Sequence, residues 1–149
     1  MASDGRVFLF ALKILTSYHL NQNEWKGRNM SNKKIYAFDV DDTLEISKGP
    51  VPVGELRRLR LEGHVVGLCG NWAVFTNAVP GWENLVSFLG PVGTSKEEFL
   101  RQIKKYCKAN EYILVGNDPA VFGGSNDRGA ASAAGWRFIQ EQNFANGER

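Results

Sequence analysis

IYAFDVDDTL, residues 35–44, joins a short apolar run to a cluster of carboxylates. Residues 35–38 are apolar and rich in strand-forming side chains, which predicts a buried β-strand. Asp39, Asp41 and Asp42 follow directly, and three carboxylates in four residues repel one another unless a cation or a proton compensates. Oxygen donors of this kind suit Mg²⁺. The segment therefore predicts a strand that ends in a catalytic, metal-binding acid cluster, with a purely capping acidic turn as the alternative.

Outside this segment, strand-like and helix-like patterns alternate. Helices are predicted over residues 53–62, from Ser95 onward and over 127–134, and strands over 65–69, around Phe88, and over 112–115 and 136–139. The helix at Ser95 opens with a capping box to Glu98, and its predicted core face is Phe99, Ile103, Tyr106 and Cys107. This alternation predicts an α/β fold with three layers, in which a doubly wound, mostly parallel sheet carries helices on both faces. Ligands in such folds bind at the carboxyl ends of the strands.

The amino-acid composition limits the classes of protein to which this chain can belong. Hydrophobic residues make up 43% and charged residues 23% of the 149 residues, which is typical of a folded globular domain. The net charge of +2 gives no specific signal for nucleic acid or membrane. Two cysteines and two histidines disfavour disulfide scaffolds, zinc enzymes and histidine-based hydrolases. Carboxylates and oxygen ligands are therefore expected to carry the chemistry.

The N-terminal region differs from the rest. Residues 7–15 form an apolar run, interrupted by Lys13, that is much shorter than the roughly 20 residues a membrane-spanning helix requires. The flanking residues fit a secretory signal poorly. We predict an N-terminal extension over residues 1–32, as a peripheral helix or disordered chain, and a catalytic domain over residues 33–149. A cytoplasmic location is expected.

The motif at Asp39, Asp41 and Thr43 resembles the first motif of the haloacid dehalogenase (HAD) superfamily, an apolar strand followed by Asp-x-Asp-x-Thr. The resemblance covers roughly residues 33–140. It implies that Asp39 is a nucleophile that forms an aspartyl-phosphate, and that Asp41 is the general acid and base. It also implies that the Asp39 carboxylate and the Asp41 carbonyl bind Mg²⁺, and that Thr43 braces the turn and contributes to the substrate site. Family members usually carry glycine where this chain has Asp42.

The second and third motifs of the family are matched less closely. The second is a Ser or Thr at the end of the second strand, and Cys69 stands there, with the Gly70 and Asn71 main-chain amides as further substrate-binding groups. A small buried hydrophobe is the equal alternative for Cys69. The third is a lysine that steadies the nucleophile and the phosphoryl group, and Lys96 stands at the start of the matching helix.

The fourth motif supplies further acids for the metal after the fourth strand. Asn117, Asp118 and Asp127 resemble it, with Asn117 at the position of the first acid. Either Asn117 binds the metal through its amide oxygen or Asp118 does so after a one-residue shift, and Asp127 is the second ligand or an N-cap. The intervening residues 119–125 are read as a flexible rim of the site.

The short gaps between motifs imply a family member without a cap domain. Such an open site implies a phosphorylated substrate, with macromolecules favoured, and a second subunit is one way to cover it. The expected function is Mg²⁺-dependent hydrolysis of phosphoric monoesters. Asp41 argues against a dehalogenase, because a halide leaving group needs no proton. A catalytically degenerate Mg²⁺-binding or interaction protein remains the main alternative, motivated by Cys69 and Asn117. A receiver domain is disfavoured because no acid follows Cys69 before Gly81.

Overall fold

A computed structural model describes residues 32–118 and 126–149. The strands are β1 Lys34–Phe38, β2 Val65–Cys69, β3 Leu89–Gly90, β4 Glu111–Gly116 and β5 Arg137–Gln140. The helices are α1 Val53–Leu61, α2 Trp72–Ala78, α3 Lys96–Tyr106, α4 Asp127–Ala134 and α5 Glu141–Ala145. The predicted extension, apart from residue 32, and the predicted rim loop lie outside the described residues. Within the described part of the chain, no helix is long and apolar enough to cross a membrane.

The five strands form one parallel sheet in the order β3-β2-β1-β4-β5. The chain moves from β1 through β2 to β3 and then crosses to β4 on the other side of β1. Phe38, the last residue of β1, is in register with Leu68 of β2 and Val115 of β4. The chain segments that leave these three strands therefore meet at one edge of the sheet. The α/β class with a parallel sheet is confirmed.

Side chains alternate between two hydrophobic clusters on the two faces of the sheet. Tyr36 and Phe38 belong to one cluster, whereas Ile35 and Ala37 belong to the other. Helices α1, α2 and α5 contribute Leu56, Leu59, Phe75 and Phe144 to the first cluster, and α3 and α4 contribute Phe99, Leu100, Ile103, Ala131 and Ala134 to the second. Strands buried on both faces read as continuous apolar runs, which explains why β1 was recognisable in the sequence.

Most predicted elements are confirmed within one or two residues, but two expectations fail and one helix was not predicted. Helix α2, Trp72–Ala78, lies where only a turn and a short strand were expected, and it is held by the buried Phe75. Helix α5 was not predicted. Tyr106 was expected in the core of α3 but is 50% exposed, because the helix ends at this residue, and Leu100 is buried in its stead.

Candidate active site

A cavity of about 460 Å³ opens at the carboxyl edge of the sheet. Its lining comes from the segments after β1, β2, β3 and β4 and from the start of α3, and comprises Asp39, Asp41, Asp42, Gly70, Asn71, Pro91, Lys96 and Asn117. Six of these residues, all except Asp42 and Pro91, belong to the predicted site. The parallel sheet thus brings together residues up to 78 positions apart in the chain.

Asp39 follows β1 and is only 4% exposed. Its Oδ1 accepts a hydrogen bond from Lys96 Nζ at 2.9 Å, and its Oδ2 accepts one from Asn117 Nδ2 at 2.7 Å. The Thr43 hydroxyl lies 3.3 Å from the same Oδ2. Burial raises the pKa of Asp39 to about 6, although the positive charge of Lys96 opposes this rise. Asp39 is therefore a fixed, desolvated carboxylate beside a cavity.

Lys96 is the first residue of α3. Ser95 caps that helix, since its side chain accepts a hydrogen bond from the Glu98 amide. This cap fixes where the helix begins and so places Lys96 in its first turn. Lys96 Nζ lies 2.9 Å from Asp39 Oδ1 and 2.7 Å from Asp127 Oδ1. Burial lowers the pKa of Lys96, but the two carboxylates raise it by more, so the net pKa lies above the ordinary value and the side chain stays charged.

Asp41 lies at the exposed side of the cavity. Its Oδ1 accepts a hydrogen bond from the Ser47 hydroxyl at 2.7 Å, and its Oδ2 accepts one from Asn71 Nδ2 at 3.2 Å. The neighbouring Asp42 has a φ of 58°, in the left-handed region that glycine adopts most easily and aspartate tolerates. This turn directs the Asp41 main-chain oxygen inward, where it accepts a hydrogen bond from Asn117 Nδ2 at 2.8 Å.

Gly70 lets the chain approach the nucleophile candidate closely. A Cβ at this position would lie 2.3 Å from Asp39 Oδ1. Its main-chain N–H donates to the Gly90 carbonyl at 2.8 Å, so Gly70 supplies space and not the hydrogen-bond donor that we expected. Cys69 is fully buried in the second hydrophobic cluster and does not line the cavity. Burial raises the pKa of its thiol.

Thr43 is also fully buried, and it does not line the cavity. Its hydroxyl lies 3.3 Å from both Asp39 Oδ2 and Asn117 Oδ1. Its carbonyl accepts the Val51 N–H at 3.0 Å, which fastens the loop after β1. The structure therefore places Thr43 as a brace for two site residues and not as a substrate contact.

The three polar residues after β4 have different surroundings. Asn117, 6% exposed, faces Asp39 and Asp41. Asp118 faces Arg128, whose Nε and Nη2 donate to its Oδ2 at 2.8 and 2.7 Å. Asp127 is fully buried, and its Oδ2 accepts the Asn117 N–H at 2.9 Å while its Oδ1 binds Lys96. Of the two readings for the first ligand, the structure brings Asn117 to Asp39 and leaves Asp118 outside the cavity lining.

A cation at this cavity has three candidate donor groups: the Asp39 carboxylate, the Asp41 carbonyl and the Asn117 side-chain amide. Among residues 32–118 and 126–149, no cluster of three or more His, Cys, Asp or Glu side chains has the arrangement of a metal site. The donors here are instead one carboxylate, one carbonyl and one amide. All three offer oxygen, which is the donor type that Mg²⁺ prefers, so the residues fit this ion.

Sequence reasoning missed three residues around the site. Ser47, which holds Asp41, and Pro91, which lines the cavity, belong to no recognisable pattern. Glu141, the first residue of α5, is 9% exposed, and its Oε2 has no hydrogen-bond partner among the described residues. Its position directly after a strand was the one signal that could have identified it as a further acid at this edge of the sheet.

Known proteins add nothing to this description. The chain matches no protein-family model, no curated protein and no solved structure. The geometry of the cavity and the motif at its centre are therefore the features of this chain that bear on its function.

Proposed function

We propose that this protein is a Mg²⁺-dependent phosphoric monoester hydrolase that works through an aspartyl-phosphate on Asp39. The observation that carries the proposal is the set of contacts around the Asp39 carboxylate. A lysine ammonium lies 2.9 Å from one oxygen, and an amide shared with the Asp41 carbonyl lies 2.7 Å from the other. A buried carboxylate with these neighbours beside an open cavity suits attack on phosphorus.

In the first step, a carboxylate oxygen of Asp39 forms a bond to phosphorus as the ester P–O bond breaks. Lys96 is placed to offset the negative charge of the transferring group, because it is charged and touches the nucleophile. Gly70 leaves room for the phosphoryl group beside Asp39 Oδ1. When bound, Mg²⁺ would be held by Asp39, the Asp41 carbonyl and Asn117, and it would supply charge neutralisation at the phosphoryl oxygens.

Asp41 serves the proton transfers. Its carboxyl group gives a proton to the departing alkoxide and then takes one from the water that attacks the aspartyl-phosphate, which releases inorganic phosphate and restores Asp39. Ser47 and Asn71 fix the direction of this side chain at the exposed side of the cavity. A leaving group that needs a proton is an alkoxide and not a halide, so hydrolysis of a phosphate ester is favoured over dehalogenation.

The proposal includes a HAD-like, doubly wound core without a cap domain. The segment between β1 and β2 contains helix α1. The segment between β2 and α3 contains helix α2 and the short strand β3. A site without a lid favours a phosphate group carried on a large molecule, and a second copy of the chain is an alternative way to cover it.

The test compares the intact chain with Asp39→Asn and with Glu97→Gln. The matched control removes the same charge from a helix surface, where Glu97 pairs with Arg101 at 2.6 Å outside the cavity lining. An aryl phosphate with a coloured phenol is the substrate, with and without Mg²⁺. We expect Asp39→Asn to lose at least about a thousandfold in turnover, because the nucleophile is gone, while Glu97→Gln stays within about twofold.

One observation favours the alternative function, a catalytically degenerate protein that binds Mg²⁺ without hydrolysing phosphate esters. The Asn117 amide occupies the place between Asp39 and Asp41, and it carries no charge. Mg²⁺ binding in a calorimetric titration without any turnover of the wild type would support a metal-binding protein. Turnover that survives Asp39→Asn would contradict the aspartyl-phosphate mechanism.

A further inference from the structure

The Asn117 amide satisfies the site without a cation. Its two N–H groups point to Asp39 Oδ2 at 2.7 Å and to the Asp41 carbonyl at 2.8 Å, and its Oδ1 lies 3.3 Å from the Thr43 hydroxyl. An amide nitrogen offers two donors, and both are used. The two oxygens that would share a metal ion are therefore joined through one neutral donor group.

Thr43 is also a suitable partner for one N–H group of the reversed amide. Thr43 Oγ1 lies 3.3 Å from both Asn117 Oδ1 and Asp39 Oδ2, and a hydroxyl can both donate and accept. If the amide turns by half a rotation, Nδ2 donates to Thr43 Oγ1, and the Thr43 hydroxyl donates to Asp39 Oδ2. Asn117 Oδ1 then faces Asp39 and the Asp41 carbonyl, so three oxygens converge.

The two orientations differ in what they require. Three converging oxygens with no positive group between them repel one another, whereas a cation turns them into a set of ligands. The main-chain N–H of Asn117 is fixed by Asp127 at 2.9 Å, so the side chain can turn without moving the backbone. Asp127 is in turn held by Lys96 at 2.7 Å.

We propose that Asn117 is a two-position group that sets the metal affinity of this site: its nitrogen holds Asp39 and Asp41 together in the metal-free protein, and its oxygen turns inward when Mg²⁺ binds. The inference rests on the proposed metal site. Binding must break two hydrogen bonds of Asn117, so the affinity is lower than for a carboxylate at this position. The same two hydrogen bonds stabilise the site when no metal is bound.

Asn117→Asp reverses this balance. In the metal-free protein, a carboxylate oxygen replaces the nitrogen that lies 2.7 Å from Asp39 Oδ2 and 2.8 Å from the Asp41 carbonyl, so repulsion replaces two hydrogen bonds. With Mg²⁺, the added charge strengthens the ligand set. The variant should therefore be less stable than wild type without the metal and should gain more stability than wild type when the metal is added.

The experiment measures thermal unfolding of the full chain in a chelator and in excess MgCl₂, for wild type, Asn117→Asp and the neighbouring control Asp118→Asn. We expect Asn117→Asp to unfold roughly 5 °C or more below wild type in the chelator, and its gain on adding MgCl₂ to exceed that of wild type. Calorimetric titration should give an affinity for Mg²⁺ about tenfold or more higher for Asn117→Asp. Equal stability of Asn117→Asp and wild type in the chelator would overturn the proposal.

A second measurement uses the wild type alone and decides the matter if Asn117→Asp does not fold in either condition. The two side-chain N–H resonances of Asn117 are followed by NMR during a MgCl₂ titration. They should shift in a saturable manner, because both protons leave the acceptors that they have in the metal-free protein, and unchanged resonances at saturation would overturn the proposal. Neither readout involves turnover, so an inactive protein that shows this exchange would contradict only the hydrolase.

Discussion

The acids that follow β1 and those that follow β4 look equivalent in the sequence, but the structure uses them differently. Asp39 and Asp41 both line the cavity at the carboxyl edge of the sheet. Asp118 and Asp127 lie outside that lining, and each is bound to a cation, Arg128 or Lys96. Asp39 is bound to Lys96 as well, so the comparison teaches that access to the cavity, and not the partner of a carboxylate or its place in a motif, separates the two pairs of acids.

The difference has a local cause. After β1 the Asp39 N–H still donates to the Val115 carbonyl of β4 at 2.9 Å, and the chain then turns through the left-handed Asp42, so Asp39 stays at the edge of the sheet. At the start of α4, Asn126 caps the helix by accepting the Gly129 N–H at 3.0 Å, and Asp127 points into the protein. The cap that we considered for Asp127 therefore belongs to Asn126, which leaves Asp127 to hold Lys96 and Asn117.

After Asp39→Asn, the largest effect is expected for Asp41→Asn. Turnover should fall by about 10²–10⁴ because the proposed proton donor is lost, while the free energy of unfolding changes by less than about 1 kcal/mol, since Asp41 is exposed and its partners are neutral. The loss should be smaller for aryl phosphates, whose leaving groups need less protonation, than for alkyl phosphates. Equal losses for the two substrates would remove Asp41 from the role of general acid.

The next effect separates the two acids after β4. Asp127→Asn should lower the free energy of unfolding by about 3 kcal/mol, at the low end for a broken buried pair because Asp39 still neutralises Lys96. Asp118→Asn should lower it by less than about 1 kcal/mol, because its partner Arg128 is more than half exposed. Denaturant unfolding of both variants is the measurement, and similar losses would mean that the two acids are equivalent after all.

The smallest effect is expected on stability and concerns Glu141, the acid that directly follows β5. Burial raises the pKa of its carboxyl above 4.5, and the negative charges of Asp127, Asp118 and Asp42 raise it further. The folded state then holds a proton that the unfolded state has lost, so this contribution to stability is present below about pH 4.5 and is lost as the pH rises through the folded pKa.

Glu141→Gln removes the titrating group. The variant should therefore be more stable than wild type by about 1 kcal/mol near pH 8, and the difference should shrink toward pH 5. The measurement is the free energy of unfolding of both proteins across this range. A difference that does not change with pH would show that the Glu141 carboxyl is satisfied in the folded state.

The sequence was sufficient for the framework of the fold because the main elements carry strong local signals. Helix α3 has its capping box at Ser95, and β1 and β2 are continuous apolar runs. Helix α2 has no comparable signal, because WAVFTNA contains aromatic and β-branched residues and its N-cap makes no side-chain bond. It forms because Phe75 is buried by tertiary packing.

The positions of the main site residues in the chain were also predictable from the sequence, because they are tied to the ends of strands and the start of a helix. Asp39, Asp41, Asn71, Lys96 and Asn117 follow strands or begin a helix, and a parallel sheet must bring such positions together. The orientation of a side chain at the end of a strand was not predictable. Cys69 is at the expected end of β2 but packs against the core, and Ser47 reaches Asp41 from a loop whose course depends on its tertiary contacts.

The short outer strands have a consequence for how the molecule behaves at high concentration. β3 has two residues and is followed at once by Pro91, and β5 has four and runs directly into α5. The longer strands β1, β2 and β4 lie inside, between paired neighbours. Unpaired backbone groups at a sheet edge are templates for adding a strand from another chain, and short edges offer few of them. The sheet therefore carries built-in protection against edge-to-edge aggregation.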